Sequence, residues 1–245
     1  MKRSLSLLLA AVLTLLAACS SPDSGARPEL ADPPPQVVEV AEPEESASDV
    51  RIARATEPLE VLALPDPAAE VLTELAPTTE FGSPRALLVL ADEGDFLQVQ
   101  VPQRPNGLTG WVAAADVEVV TGRHEVIVDL GARTLTLLED GEVALETPVA
   151  IGTPDAPTPT GTFALIDRLQ APDPGGDYGP FALGLAGWSD VFSEFAGGDG
   201  QIGIHGTNDP SSIGQAASHG CVRVPNDVVA QLAEVLPLGT PVTIV

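Results

Sequence analysis

From Leu59 to the C-terminus, glycine, proline and acidic turn residues cut the chain into short apolar runs, which leaves little room for long helices. Leu59-Glu60-Val61-Leu62-Ala63-Leu64, Ala86-Leu87-Leu88-Val89-Leu90, Phe96-Leu97-Gln98-Val99-Gln100-Val101 and Gly110-Trp111-Val112-Ala113 all have strand length. Asp92-Glu93-Gly94-Asp95 and residues 102–107 separate the later ones. The pattern strengthens after His124. Val126, Val128 and Leu130 alternate with polar residues, Thr134-Leu135-Thr136-Leu137-Leu138 follows, and Asp140-Gly141 is a hairpin turn into residues 143–150. Residues 161–166, 201–204 and 241–245 are further strand candidates. The one helix expected spans 227–235, with Asn226 as N-cap, Val228, Val229, Leu232 and Val235 on its apolar face, and Pro237 and Gly239 beyond its end. The fold class is therefore mainly β with one C-terminal helix, in a small all-β domain at 53–120 and a larger one at 122–245.

The ends point outside the cytoplasm. Lys2 and Arg3 precede an apolar run over residues 5–18, shorter than the roughly 20 residues needed to span a bilayer, so residues 1–18 read as an export signal. Its end, Leu16-Ala17-Ala18-Cys19, is similar to the lipobox of bacterial lipoproteins, in which the cysteine becomes the lipidated N-terminus; an ordinary secretory signal is the alternative. Residues 19–52, with Pro33-Pro34-Pro35 and Glu42-Pro43-Glu44-Glu45, lack apolar periodicity and read as an acidic, self-repelling tether. The expected location is the outer face of the cell envelope, in cell wall or periplasm, with a lipid at Cys19 holding the chain to a membrane. A net charge of −24, with Lys2 the single lysine, excludes nucleic acid as a partner, because phosphate binding needs a basic patch.

Only Cys19 and Cys221 carry thiols, so lipidation of Cys19 leaves Cys221 free in an oxidising compartment, which calls for a chemical role. Cys221 lies in Ser218-His219-Gly220-Cys221-Val222-Arg223, downstream of Ile204-His205-Gly206-Thr207-Asn208-Asp209-Pro210. Thiol attack on an amide needs a nucleophilic sulfur, a base that returns the proton to the leaving amine, and donors for the oxyanion. A histidine and a cysteine supply the first two. A buried structural cysteine and a zinc site at His205, His219 and Cys221 are the competing readings. The zinc site would require all three side chains to converge.

At these residues the chain resembles the L,D-transpeptidases with a YkuD-type catalytic domain. Their signature is a histidine, a spacer, then Ser/Thr-His-Gly-Cys, an apolar residue and Asn or Arg, matched by His205, Ser218-His219-Gly220-Cys221 and Val222-Arg223. Thr158-Pro159-Thr160-Gly161-Thr162-Phe163 and Gly239-Thr240-Pro241-Val242 are similar to two further elements of the family. The resemblance implies a β-sandwich catalytic domain in which Cys221 is the nucleophile, His205 the base, and the Gly206 carbonyl the group orienting the imidazole. It also implies amides at Gly220 and Cys221 as oxyanion donors, a turn shaped by His219, and a loop held by Ser218 beside substrate. Arg223 is a candidate to pair with a substrate carboxylate, or with Asp227 locally. The interval 172–187 is often a cover over the site in this family, so Tyr178 and Trp188 are candidate substrate contacts, with core packing as the alternative for each.

The implied partner is the peptidoglycan stem peptide, with no metal and no cofactor, and carbapenems as expected covalent inhibitors. An L,D-carboxypeptidase and a lipoprotein-to-peptidoglycan ligase are alternatives on the same fold. A non-catalytic wall-binding lipoprotein is the alternative of another class. Residues 53–120 resemble bacterial SH3-like barrel domains through Gly110-Trp111-Val112 and Asp116-Val117, which implies a separable module that binds the wall.

Overall fold

The computed structural model describes residues 50–194 and 198–245; the expected signal at 1–18, Cys19 and nearly all of the tether at 19–52 lie outside the described residues. Seven strands come first: β1 (Arg51–Ala55), β2 (Leu59–Leu62), β3 (Val71–Leu75), β4 (Arg85–Asp92), β5 (Phe96–Gln100), β6 (Thr109–Ala113) and β7 (Glu118–Thr121). They form one sheet in the order β3-β2-β6-β5-β4-β1-β7. Leu59 and Val61 of β2, Leu97 and Val99 of β5 and Val112 of β6 point into a shared core while Glu60 between the first two stays exposed, the period-two burial the sequence pattern predicts. β3 was not legible, because none of its first four residues is buried and they carry no buried alternation.

The second set is β8 (His124–Asp129), β9 (Thr134–Glu139), β10 (Glu142–Pro148), β11 (Ile151–Gly152), β12 (Gly161–Gln170), β13 (Phe181–Trp188), β14 (Gln201–His205), β15 (Ala216–Ser218), β16 (Val222–Arg223), α1 (Asn226–Val235) and β17 (Pro241–Ile244). Eight of these strands make a sheet in the order β10-β9-β8-β17-β12-β13-β14-β16, and β11 pairs separately with β15. Expected and observed strands agree along β8 to β10 and at β12, β14 and β17. The stretch 172–187 does not run as one cover: its second half is β13. Gly184 and Gly187 hid that strand, yet a side chain at Gly187 would strike the Phe163 ring at 2.7 Å, so glycine there serves close packing.

Helix α1 buries Val228, Val229, Leu232 and Ala233, whereas Val235, expected on the apolar face, is exposed. It begins at Asn226 without any side-chain cap, and the Asn226 side chain points elsewhere.

Strand β12 explains how the two sheets are held. Phe163 and Leu165 enter the core beneath α1, while Ala164 and Ile166 turn the other way onto Ile52, Ala86 and Leu88 of the first sheet. Being buried on both faces, β12 reads as a continuous apolar run. Polar side chains complete the junction by imitating a backbone. The Gln100 amide donates to Thr162 O at 2.6 Å and accepts from Ala164 N at 2.7 Å, and the Asn106 amide donates to Trp188 O at 2.7 Å and accepts from Trp188 N at 2.8 Å. Ile52 fits where any side chain on Gly239 would sit, 2.4 Å from its Cγ2. Shared core and amide clasps describe a joined pair of sheets.

Candidate active site

Strands β14 and β16 run parallel, with Ile204 opposite Val222 and His205 opposite Arg223. Because side chains alternate, Ile204 and Val222 go to the core, and Gly203, His205, Cys221 and Arg223 share the opposite face. This puts His205 and Cys221 in the lining of one pocket of about 790 Å3, with Tyr178, Asp167, Gln201 and Gly203. Gly203 belongs there because a side chain would meet Leu183 O at 2.7 Å, and its backbone instead hydrogen-bonds Cys221.

The His205 ring is buried, and its Nδ1 lies 2.6 Å from Gly206 O. A carbonyl only accepts, so Nδ1 carries the hydrogen and Nε2 keeps its lone pair for a substrate or thiol proton. Burial is also the main cause of a depressed imidazole pKa, lowered to about 4; the Gly206 bond and Asp177 oppose this and Arg223 adds to it. Burial pushes the Cys221 thiol up, against the Gly203 backbone bond and the Arg223 charge. Both shifts favour the neutral thiol and the neutral imidazole, so attack by Cys221 calls for a base that takes the thiol proton.

Ser218 holds the loop from within. It is buried, its hydroxyl donates to Cys221 O, and it accepts from Gly220 N at 3.2 Å, so it faces the turn instead of substrate. That bond also engages the Gly220 amide, expected together with the Cys221 amide as an oxyanion donor. Gly220 itself sits at φ +121°, in the region that favours glycine. His219 is exposed and its ring packs against Phe192 with centroids 6.2 Å apart, whereas His205 packs against Tyr178. The two imidazoles therefore face different neighbours, and among the described residues no group of three or more His, Cys, Asp or Glu side chains gathers as a metal would require.

Tyr178 lies over His205, with ring centroids 4.8 Å apart, and lines the pocket while remaining 44 % exposed. Gly179 puts it there: it adopts φ +62° and lies against Gly206, where a side chain would come within 2.7 Å of Gly206 Cα. Trp188 behaves differently. It is only 6 % exposed, lies outside the pocket lining, and donates from Nε1 to Asp199 Oδ2 at 2.6 Å, so its place is structural. Among the described residues Arg223 makes no salt bridge with Asp227, and its buried Nε has no hydrogen-bond partner.

Asn226 is the residue the sequence pattern misassigned. Its Oδ1 accepts from Thr207 N at 2.7 Å and fills the space against Gly206 and Gly179, bracing the segment that presents His205. The signal was its place just after the cysteine motif, and the helix-start pattern claimed it first. Arg104, in the first sheet's β5–β6 loop, was not visible at all: it donates to Ser189 O at 3.0 Å, Phe192 O at 2.9 Å and Asp199 O at 3.0 Å, holding the end of the β13–β14 connection that lines the pocket at Gly198, Asp199 and Gly200.

The family described as the L,D-transpeptidase catalytic domain (YkuD) matches residues 123–244. A Bacillus licheniformis protein provisionally named L,D-transpeptidase YkuD is 34 % identical over 163 residues, covering 64 % of this chain and 90 % of that relative. The chain belongs to the L,D-transpeptidase family. The Bacillus subtilis protein of the same name is 40 % identical over 121 residues, which cover 49 % of this chain and 65 % of the relative. Among solved structures, Bdellovibrio bacteriovorus Bd1075 is 31 % identical, covering 51 % of this chain and 48 % of that one at a TM-score of 0.40. As an L,D-transpeptidase family member, the chain carries its histidine and cysteine motifs, at His205 and at Ser218 to Arg223, inside the matched region.

Proposed function

We propose that the chain is a peptidoglycan L,D-transpeptidase working through an acyl-enzyme on Cys221. The observation that carries this reading is the His205 Nδ1 to Gly206 O bond of 2.6 Å, which turns Nε2 into a base in the pocket that holds the cysteine. Sγ attacks the carbonyl carbon between the third stem residue and the terminal D-alanine while its proton passes to His205 Nε2. The Cys221 amide stabilises the oxyanion. As the intermediate collapses the C–N bond breaks, His205 returns the proton to the leaving D-alanine amine, and a thioester remains. An amine of a neighbouring stem then attacks the thioester, gives its proton to His205, and displaces Sγ, which recovers that proton. The product is a cross-link between third residues. Water in place of the amine makes the same chain an L,D-carboxypeptidase, and a protein amine makes it a ligase.

Arg223, whose charge acts on both His205 and Cys221, would pair with a stem carboxylate through the outer end of its guanidinium, and Tyr178 would meet the peptide above His205. Carbapenems would acylate Cys221 by the same attack. Export by the signal at 1–18, lipidation at Cys19, a reach supplied by the acidic tether, and an SH3-like origin for the first sheet complete the proposal. Detergent partitioning that survives Cys19→Ala would remove the anchor.

The function is tested by supplying disaccharide tetrapeptide and a second D-amino acid, with exchange of the terminal residue read by mass spectrometry. Wild type is expected to exchange, Cys221→Ala to be inert and a chelator to have no effect. Turnover surviving in Cys221→Ala, or lost with chelator, overturns the cysteine mechanism. Release of tripeptide and D-alanine without exchange assigns the carboxypeptidase.

A further inference from the structure

The catalytic pocket is not walled by the catalytic sheet alone. Glu80 and Phe81, from the loop between β3 and β4 of the first sheet, line it together with Asp167 and Leu169 of β12, Tyr178, and Cys221. That loop is tightly built. Thr79 N donates to Ser83 O at 2.9 Å and Gly82 N to Thr79 O at 3.0 Å, with Gly82 at φ +83° completing the turn. The Arg85 guanidinium holds Ala76 O and Thr78 O, each at 3.0 Å, and Thr79 Oγ1 donates to the buried Asp167 Oδ1 at 2.5 Å, which pins the turn onto β12. On this fixed support the Phe81 ring remains 52 % exposed. A large apolar side chain held in solvent by a rigid turn, at the rim of a pocket containing the nucleophile, is placed for contact with whatever enters.

We propose that residues 78–82 form the outer substrate wall of the active site, with Phe81 packing against the saccharide-proximal end of the donor stem. The inference rests on the L,D-transpeptidase reading and extends it to donor length. The turn is pinned to β12, and Cys221 directly precedes β16, three strands away in the order β12-β13-β14-β16. Three strand spacings are about 14 Å, and an extended peptide covers that in about four residues at roughly 3.3 Å each. Counting back from the third residue, whose carbonyl meets Cys221, that span passes the first stem residue and reaches its sugar. An aromatic face suits the apolar C–H face of a sugar or an alanine methyl. The first sheet is then part of the active site, and the chain favours long donors.

The test measures affinity and turnover in the full chain with two donors: disaccharide tetrapeptide, and an N-acetylated dipeptide of only the third residue and D-alanine. Affinity is read by calorimetry in the Cys221→Ala background, where no chemistry occurs, and turnover in wild type. Phe81→Ala is expected to lower affinity for the long donor about fivefold and for the short one less than twofold, with Phe81→Leu in between. Equal losses on both donors, or none on the long one, overturn the proposal whether or not the enzyme turns over. Absence of turnover in wild type, with Phe81-dependent binding of the long donor retained, rejects the transpeptidase reading and leaves the wall in place. Absence of both turnover and binding rejects both.

Discussion

The two sides of the catalytic pocket are built by opposite means. On the cysteine side nearly everything comes from one stretch of chain, 203–226, in which glycines allow close approaches and short local bonds fix the rest: Nδ1 of His205 on Gly206 O, Ser218 across its own turn, Asn226 on Thr207. The opposite side is assembled at long range. Thr79 reaches Asp167 across 88 positions, and Arg104 reaches Ser189, Phe192 and Asp199 across 85 to 95. Local construction suits reacting groups, which tolerate displacements of well under an ångström. Long-range construction couples the shape of the cleft to the docking of the first sheet.

If that division holds, damage on the cysteine side should appear in turnover and damage on the opposite side in affinity. Cys221→Ala should abolish exchange, and His205→Ala should lower kcat by about 10² to 10⁴, the usual contribution of a general base. Next in size is an effect of pH on folding. His205 is held neutral at about 4 against an ordinary 6.5, so as pH falls from 6.5 towards 4 the unfolded chain binds the proton first. The stability of the neutral, buried form is complete above 6.5 and is lost on the way to 4, at most about 3 kcal/mol. Denaturant unfolding of wild type and His205→Ala at pH 7 and 4.5 should therefore show the wild type losing more, by up to that amount.

Asn226→Ala should strand the Thr207 amide and cost about tenfold in kcat with KM little changed, with Asn226→Asp, which keeps the acceptor, recovering part of the rate. The smallest effects belong to the long-range side. Arg104→Ala should raise KM about threefold through the loosened loop at Ser189 and Phe192. Gln100→Ala, which cuts a clasp far from the pocket, should cost about 1 to 3 kcal/mol of stability with KM unmoved. Equal KM changes in these two variants would mean that the first sheet acts only by holding the whole together.

The same contrast governs what was legible in the sequence. That His205 and Gly206 come together, and Ser218 and Cys221 likewise, could be read because each pair lies within one short segment. Strands β8 and β9 showed themselves through alternation on one buried face, and β10 through the Asp140-Gly141 turn that feeds it. β13 was hidden by the glycines that let it pass Phe163, and β3 by its exposure. Phe81, Arg104 and Thr79 gave no sign, since their meaning depends on which distant carbonyl, carboxylate or pocket the fold brings near. For Trp188 the sequence leaves substrate contact and core packing both open, and the structure makes it a buried donor to Asp199. The Gly220 amide, expected with that of Cys221 at the oxyanion, donates to the Ser218 hydroxyl, a bond that belongs to the folded turn.

The acyl-enzyme is tested most directly by one measurement: the intact mass of the protein quenched with acid during turnover of disaccharide tetrapeptide without an added amine acceptor. The expected result is a disaccharide-tripeptide adduct that maps to Cys221, forms in Cys19→Ala as in wild type, is slowed by orders of magnitude in His205→Ala, and is absent in Cys221→Ala. Turnover in wild type with no adduct at Cys221, or with an adduct that persists in Cys221→Ala, would contradict the account.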